Sequence, residues 1–317
     1  MSEDRIRLGV SACLLGQRVR FDGGHKRDEF LVESLGRFVE WVPVCPEVES
    51  GMTAPRESMR LVQSAGRIRL VTTTTGEDMT EPMERAATRR IATLGESGLC
   101  GFILKKDSPS CGLHRVKVYD IDGPPARSGR GLFAAALAAH FPLLPVEEEG
   151  RLRDPRLREH FIERVFAYRR VTTLFAEGWS TADLVRFHAA HKLALMAHDP
   201  RATTILGRLV ASAKQTPRTI LRERYTAAFM TTLATLATRQ KHANVLQHML
   251  GYFKRALDRD GRSELLDALR HYAAGFVPLV VPLTLFRHHI RRLGVVYLTE
   301  QVYLQPHPME LMLRNHV

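Results

Sequence analysis

Gly101-Phe102-Ile103-Leu104-Lys105-Lys106-Asp107-Ser108-Pro109-Ser110-Cys111-Gly112 is a short apolar run that empties into a turn dense in Ser, Pro and Gly. The apolar half has the pattern of a buried strand, and the polar half places two hydroxyls and a thiol where that strand stops. In open α/β sheets, ligands bind at such strand ends. Two further cysteines arrive in the same way. Arg5 to Val10 reads as a strand ending at Ser11-Ala12-Cys13, and Val39 to Val44 runs into Cys45-Pro46-Glu47. A cysteine kept for packing ordinarily sits within an apolar run, not just past its end beside Pro, Gly and a carboxylate. Thiolates select soft metals, so three strand ends with one thiol each point to metal chemistry.

Residues 1–150 alternate strand and helix patterns. Strands are predicted over 5–10, 39–44, 67–72, 100–104 and 115–119, and helices near 27–38, 79–95 and 131–141. Such alternation predicts an α/β domain with a mostly parallel sheet. Asp120 to Gly131, with its Gly-Pro-Pro and Ser-Gly-Arg-Gly, reads as a loop, and Pro145 to Gly150 as an acidic tail. Beyond it no period-2 segment appears. Helices are predicted near 155–176, 181–198, 200–213, 217–237, 241–257, 262–274 and 283–292, an all-α domain over 151–317. Asp154-Pro155, Asp199-Pro200 and Thr216-Pro217 each set a capping residue before a helix-starting proline, and Ser180 with Asp183 forms a possible capping box.

Charge divides the chain at the same place. Residues 1–150 carry 20 Lys and Arg against 21 Asp and Glu, and residues 151–317 carry 26 against 13. The whole net charge of +12 therefore comes from the second half, which also holds 11 of the 14 histidines. A near-neutral chemical domain joined to a polyanion-facing one is the expectation. Four cysteines in 317 residues are too few for a disulfide scaffold and suit a reducing cytoplasm. No run of 18 apolar residues and no apolar segment behind the charged N-terminus suggest a membrane or secretory route. Walker and Rossmann glycine fingerprints are absent, as is a clustered C-x3-C-x2-C run.

Three blocks carry a family resemblance: Gly9 to Gly16 with Val19-Arg20-Phe21-Asp22-Gly23, then Val44-Cys45-Pro46-Glu47, then Lys106 to Gly112. In order, spacing and neighbours they resemble the signature blocks of the TudS family of thiouracil desulfidases. Phe161 to Arg170, His191 to His198 and Lys241 to Phe253 resemble the YbgA-like domain. The fusion is similar to RudS-type tRNA 4-thiouridine desulfidases. That resemblance implies a [4Fe-4S] cluster held by Cys13, Cys45 and Cys111 with one iron left open. It implies non-redox removal of sulfur from a thiolated base, 4-thiouridine in tRNA becoming uridine with release of sulfide. It also implies Glu47 and Ser108 as the catalytic pair, types that suit proton transfer to water or a ring nitrogen. Cys100, at the head of its strand, reads as a buried thiol.

For tRNA, the basic half offers Arg164, Arg169, Arg170, Lys192, Lys241 and Lys254. Arg164 with Tyr168, Phe187 with His191, and Lys241 with Asn244, Gln247 and His248 stand at helical spacing, as base- and phosphate-facing sets would. Two alternatives stay open at this point. One is a metal-stabilised RNA-binding protein, its site a zinc held by the three cysteines with His25 or His114. The other is a desulfidase of free thiouracil, for which a basic second domain would be superfluous.

Overall fold

A computed structural model describes residues 5–64, 66–120, 124–253 and 256–316. The chain separates into two compact units, Met1–Leu157 and Arg158–Val317.

The first unit is built on two four-stranded sheets. One joins β1 (Ile6–Ser11), β2 (Val39–Val44), β5 (Leu99–Leu104) and β8 (Val146–Glu148) in the order β2-β1-β5-β8, all parallel. The other joins β3 (Met59–Ser64), β4 (Arg67–Thr72), β6 (Val116–Tyr119) and β7 (Ala126–Gly129) in the order β4-β3-β6-β7, with only β3 and β6 parallel. Sequence patterning predicts five of these eight strands. It misses β3, β7 and β8, because Arg and Gln interrupt β3, Gly and Ser fill β7, and three carboxylates follow Val146. The predicted α-helix over 27–38 is instead a π turn, Phe30–Ser34, running into a 3-10 turn, Leu35–Arg37.

In the parallel sheet Ser11 stands opposite Val44, and Val10 opposite Ile103, so three strands finish at one edge. From β1 the chain passes to β2 on one side, while β5 leads to β8 on the other. The switch point lies between β1 and β5, where a crevice opens at the carboxyl ends. Leu8, Val10, Phe102 and Phe133 are fully buried beneath that edge, the two rings 5.7 Å apart. Helices α2 (Thr80–Glu96) and α3 (Leu132–His140) pack together, and α1 (Pro46–Glu49) is a single turn after β2.

From Pro155 on, the described residues form helices and no strand: α4 (Pro155–Leu174), α5 (Thr181–His198), α6 (Pro200–Ala211), α7 (Arg218–Ala234), α8 (Arg239–Leu250), α9 (Arg259–Ala274), α10 (Val280–Leu293) and the short α11 (Val296–Thr299). Asp154 and Asp199 accept backbone N–H groups of the turns they start, and Ser180 and Asp183 form the reciprocal box. Thr216 does not cap. Its hydroxyl donates to the Ser212 carbonyl, and α7 begins after Pro217 without a side-chain cap. No described helix is long and apolar enough to cross a membrane.

Beside its apolar core the second unit buries a polar network. Arg314 donates to Glu159 at 2.8 Å and to the Tyr303 carbonyl at 2.6 Å, while His198 lies 3.5 Å from Glu163. Burial raises the Glu163 carboxyl, yet His198 and then Arg314 hold it well below the usual range. Burial also pushes His160 and His307 down to about 4, and His191 and His242 down to about 3. Unfolded chain protonates these rings near pH 6.5, so between about pH 6.5 and 4 it binds more protons than folded chain. Stability therefore falls with pH in that window, by up to about 1.4 kcal/mol per unit for each ring. Moving from about pH 7.5 to 5.5 should cost this unit about 5 kcal/mol over the four rings. Trp41 and Trp179 are the two tryptophans. Urea unfolding of a Trp41→Phe chain, followed by Trp179 fluorescence, should show a much lower midpoint at the acid pH; equal midpoints would refute this.

Candidate active site

Each thiol is placed by a different local device. Cys13 lies in the 3-10 turn Ala12–Leu15 that continues β1, and the Lys26 N–H donates to its carbonyl at 2.9 Å. Cys45 is the N-cap of α1, with Pro46 at the first helical position. Cys111 sits in the turn after β5, where the Ser108 hydroxyl accepts the N–H groups of Ser110 and Cys111 at 3.3 and 3.1 Å. Two glycines let neighbouring backbone press on that turn. A Cβ at Gly112 would come within 2.7 Å of the Ser108 carbonyl oxygen, and one at Gly131 within 2.4 Å of the Ser110 oxygen.

The stretch predicted as an acidic tail fixes this turn from the other side. Glu148, nearly buried, accepts the N–H groups of Leu113 and His114 at 2.8 and 3.0 Å. Glu149 accepts the Lys106 N–H at 2.8 Å and pairs with the Lys105 ammonium at 2.5 Å. The Lys105 N–H donates to the Ser11 hydroxyl at 3.0 Å, tying the end of β5 to the end of β1.

Cys13, Cys45 and Cys111 line one cavity of ≈ 360 Å³, together with Glu47, Ser108, Arg56 and Lys105. Burial pushes Cys13 up to about 11, with Cys45 adding to it and Lys105 and Arg20 opposing. Burial likewise raises Cys45, where Glu47 adds to it, and it raises Cys111, where Glu47 and then the other two thiols add to it. The three sulfurs thus feel one another, and a shared cation would favour their thiolates. Among the described residues no three His, Cys, Asp or Glu side chains are gathered as for a single ion. His25 and His114, the candidate fourth zinc ligands, are exposed and do not line the cavity. Cys100 is buried at the start of β5, at the other end of that strand from Cys111, and does not line it either.

Glu47 and Ser108 do not touch directly. Ser110, completely buried, joins them: its hydroxyl lies 3.0 Å from the Ser108 hydroxyl and donates to Glu47 at 2.5 Å. The second Glu47 oxygen pairs with Arg56, which also donates to the Val19 carbonyl at 3.0 Å. Sequence reasoning assigns no part to Ser110 or Arg56. Ser110 could have been suspected from Ser108-Pro109-Ser110, but Arg56 lies in a loop with no periodic signal.

The described basic candidates of the second unit stand on α4, α5 and α8. Lys192 is exposed on α5, and Arg164 and Arg169 are half-buried on α4. Arg170 donates to the Pro306 carbonyl at 2.6 Å, and Lys241 to the His198 carbonyl at 2.5 Å. Lys254 lies outside the described residues. Phe187 and His191 stack on each other, centroids 3.9 Å apart, beside Phe229 and Tyr225, so this pair is occupied in packing. Asn244, Gln247 and His248 are exposed on α8.

Two family models match the chain: 2-thiouracil desulfurase over residues 8–149, and a protein family of unknown function, DUF1722, over 192–308. The uncharacterized protein YbbK of Bacillus subtilis (strain 168) is 34% identical over 133 residues, covering 40% of this chain and 87% of that one. The uncharacterized protein YbgA of Escherichia coli (strain K12) is 27% identical over 161 residues, covering 50% of this chain and 95% of that one. A solved [4Fe-4S]-dependent thiouracil desulfidase, TudS, aligns with 30% identity and a TM-score of 0.40, covering 49% of this chain and 98% of that one.

Proposed function

The chain belongs to the 2-thiouracil desulfurase family through its first unit, and from that premise we propose that it removes sulfur from a thiolated base, 4-thiouridine in tRNA being its substrate. The observation that carries this reading is the meeting of three strand-end thiols and a carboxylate–hydroxyl chain in one cavity. Three thiols on one cavity, Cys13 and Cys111 buried and Cys45 half-buried, form a soft donor set, which fits a [4Fe-4S] cluster held by Cys13, Cys45 and Cys111. When bound, such a cluster supplies a soft Lewis acid for sulfur at an iron without a protein ligand.

The remaining work falls to side chains of this chain. Exchange of C=S for C=O takes its oxygen from water and returns sulfur with two protons, so no electron donor enters. Glu47 is the group that takes a proton from that water. Its carboxylate accepts from Ser110 and is paired with Arg56, which holds it in one orientation. Ser108 accepts two backbone N–H groups, so its own proton is directed along Ser110 toward Glu47. That chain gives Ser108, on the cavity wall, a path for moving a proton to or from the base. Lys105, held by Glu149, sets a positive charge on the cavity wall.

A tRNA substrate accounts for the basic second half, which free thiouracil would not need. Base extrusion from a folded tRNA costs on the order of a few kcal/mol, which phosphate contacts can offset. With the full-length protein purified anaerobically, loss of 4-thiouridine from tRNA and appearance of sulfide should run together. Between about 50 and 200 mM salt the KM for tRNA should rise by roughly a thousandfold if six or more phosphates are held. The KM for free thiouracil should barely move over that range. Turnover of thiouracil alone, with tRNA untouched at low salt, would leave the free base as the substrate.

A further inference from the structure

The second sheet has one buried face and one open one. Leu61, Leu70, Val116 and Val118 point inward as a satellite core. Strand alternation then turns Arg60, Arg67, Arg69, Lys117, Tyr119 and Arg127 to the other side. The five cations are exposed and Tyr119 is half-buried. Register brings them together across strands: Val62 faces both Arg69 and Tyr119, and Lys117 faces Arg127. The Arg60 guanidinium rests over the Tyr119 ring, 5.3 Å from its centroid. Two carboxylates answer the five charges, Asp78 at 3.1 Å from Arg69 and Asp107 at 3.4 Å from Arg127. Arg60, Arg67 and Lys117 make no ion pair among the described residues.

This face runs into the catalytic cavity. An open groove of ≈ 400 Å³ is lined by Arg60, Lys117, Tyr119 and Arg127, and it shares Met59, Asp107 and Pro109 with the cavity that holds the thiols. Asp107 and Pro109 belong to the same turn as Ser108 and Cys111. A base entering the cavity would therefore leave its neighbouring nucleotides at the groove.

We infer that the open face of the β4-β3-β6-β7 sheet is a binding track for the single-stranded RNA on either side of the target base. It supplies cations for phosphates and an aromatic ring for a base, the pairing that single-stranded nucleic acid needs. The inference rests on the proposed activity for its substrate, and it moves part of RNA binding into the near-neutral half of the chain. That half has no net positive charge, so composition alone hides the track. Charge is separated by surface: the carboxylates Glu47, Glu148 and Glu149 are drawn inward to hold the turn, while the arginines of the second sheet stay outside.

The test is binding, so that it stands apart from turnover. Full-length protein is titrated into a fluorescently labelled single-stranded oligoribonucleotide carrying one 4-thiouridine, and anisotropy is read over a salt series. Arg60→Ala, Lys117→Ala and Arg127→Ala combined should weaken binding at least tenfold and lower the log–log salt slope by about 2. Tyr119→Ala should weaken it about tenfold, and Tyr119→Phe should restore it. Iron content and the KM for free thiouracil should stay as in the unmodified protein in all of these. An unchanged affinity and slope in the triple variant would overturn the track. So would equal competition by an acidic polypeptide whose binding ignores Tyr119→Ala, since the face would then read charge on a protein partner. Absence of desulfuration by the unmodified chain would instead strike the proposed activity, leaving the binding result to be read by itself.

Discussion

Replacing any one of Cys13, Cys45 and Cys111 by Ser is expected to yield a colourless protein without desulfidase activity. Each thiol comes from its own strand end, so no neighbouring cysteine stands ready to replace it. A serine hydroxyl is a hard donor that stays protonated at neutral pH, and it makes a poor ligand for iron. Loss of a ligand should exceed the roughly 10- to 100-fold penalty of losing a hydrogen bond that merely supports one. Cys100→Ala is the internal control. Its thiol lies at the far end of β5 and outside the cavity, so cluster and turnover should persist with only a small packing cost. Iron and acid-labile sulfide per chain, measured on anaerobically purified protein with the visible spectrum, separate these outcomes. Equal iron loss in all four variants would remove the ligand assignment.

Glu47→Gln should retain iron and still bind a thiolated base, while turnover falls by about 10²- to 10⁴-fold, the range for a lost general base. The amide can still accept from Ser110, but it no longer offsets the Arg56 charge, which is 7% exposed. A lower unfolding midpoint is thus expected as well, because a buried charge has lost its partner. Two further variants separate chemistry from stability. Ser108→Ala removes the hydroxyl on the cavity wall. Ser110→Ala cuts the link between Ser108 and Glu47 but leaves the Arg56 pair whole. Both should lower turnover with iron retained; the midpoint should change little in Ser110→Ala and fall in Ser108→Ala, where the N–H groups of Ser110 and Cys111 lose their acceptor. Turnover near that of the unmodified protein in Glu47→Gln and Ser108→Ala would rule out the pair.

That thiols stand at three strand ends is visible in the chain, because an apolar run followed by Ser, Pro and Gly marks both strand and stop. The caps at Asp154, Asp199 and Ser180 are visible for the same reason: each involves only residues within one turn. What is not visible lies in contacts between segments far apart in sequence. Ser110 meets Glu47 across 63 positions and Lys106 meets Glu149 across 43. Val146-Glu147-Glu148 carries no strand pattern, and it becomes β8 because β5 offers an open edge and two turns offer unpaired N–H groups.

By itself the sequence determined the α/β and all-α halves, the split of charge between them and the identity of the three strand-end thiols. These follow from local periodicity and composition, which act over a few residues. Only the tertiary structure decided that the thiols share one cavity, that a buried serine connects Glu47 to Ser108, and that a second sheet turns a row of arginines outward beside them. Parallel pairing and register fix which strand ends are neighbours, and no local signal carries that information.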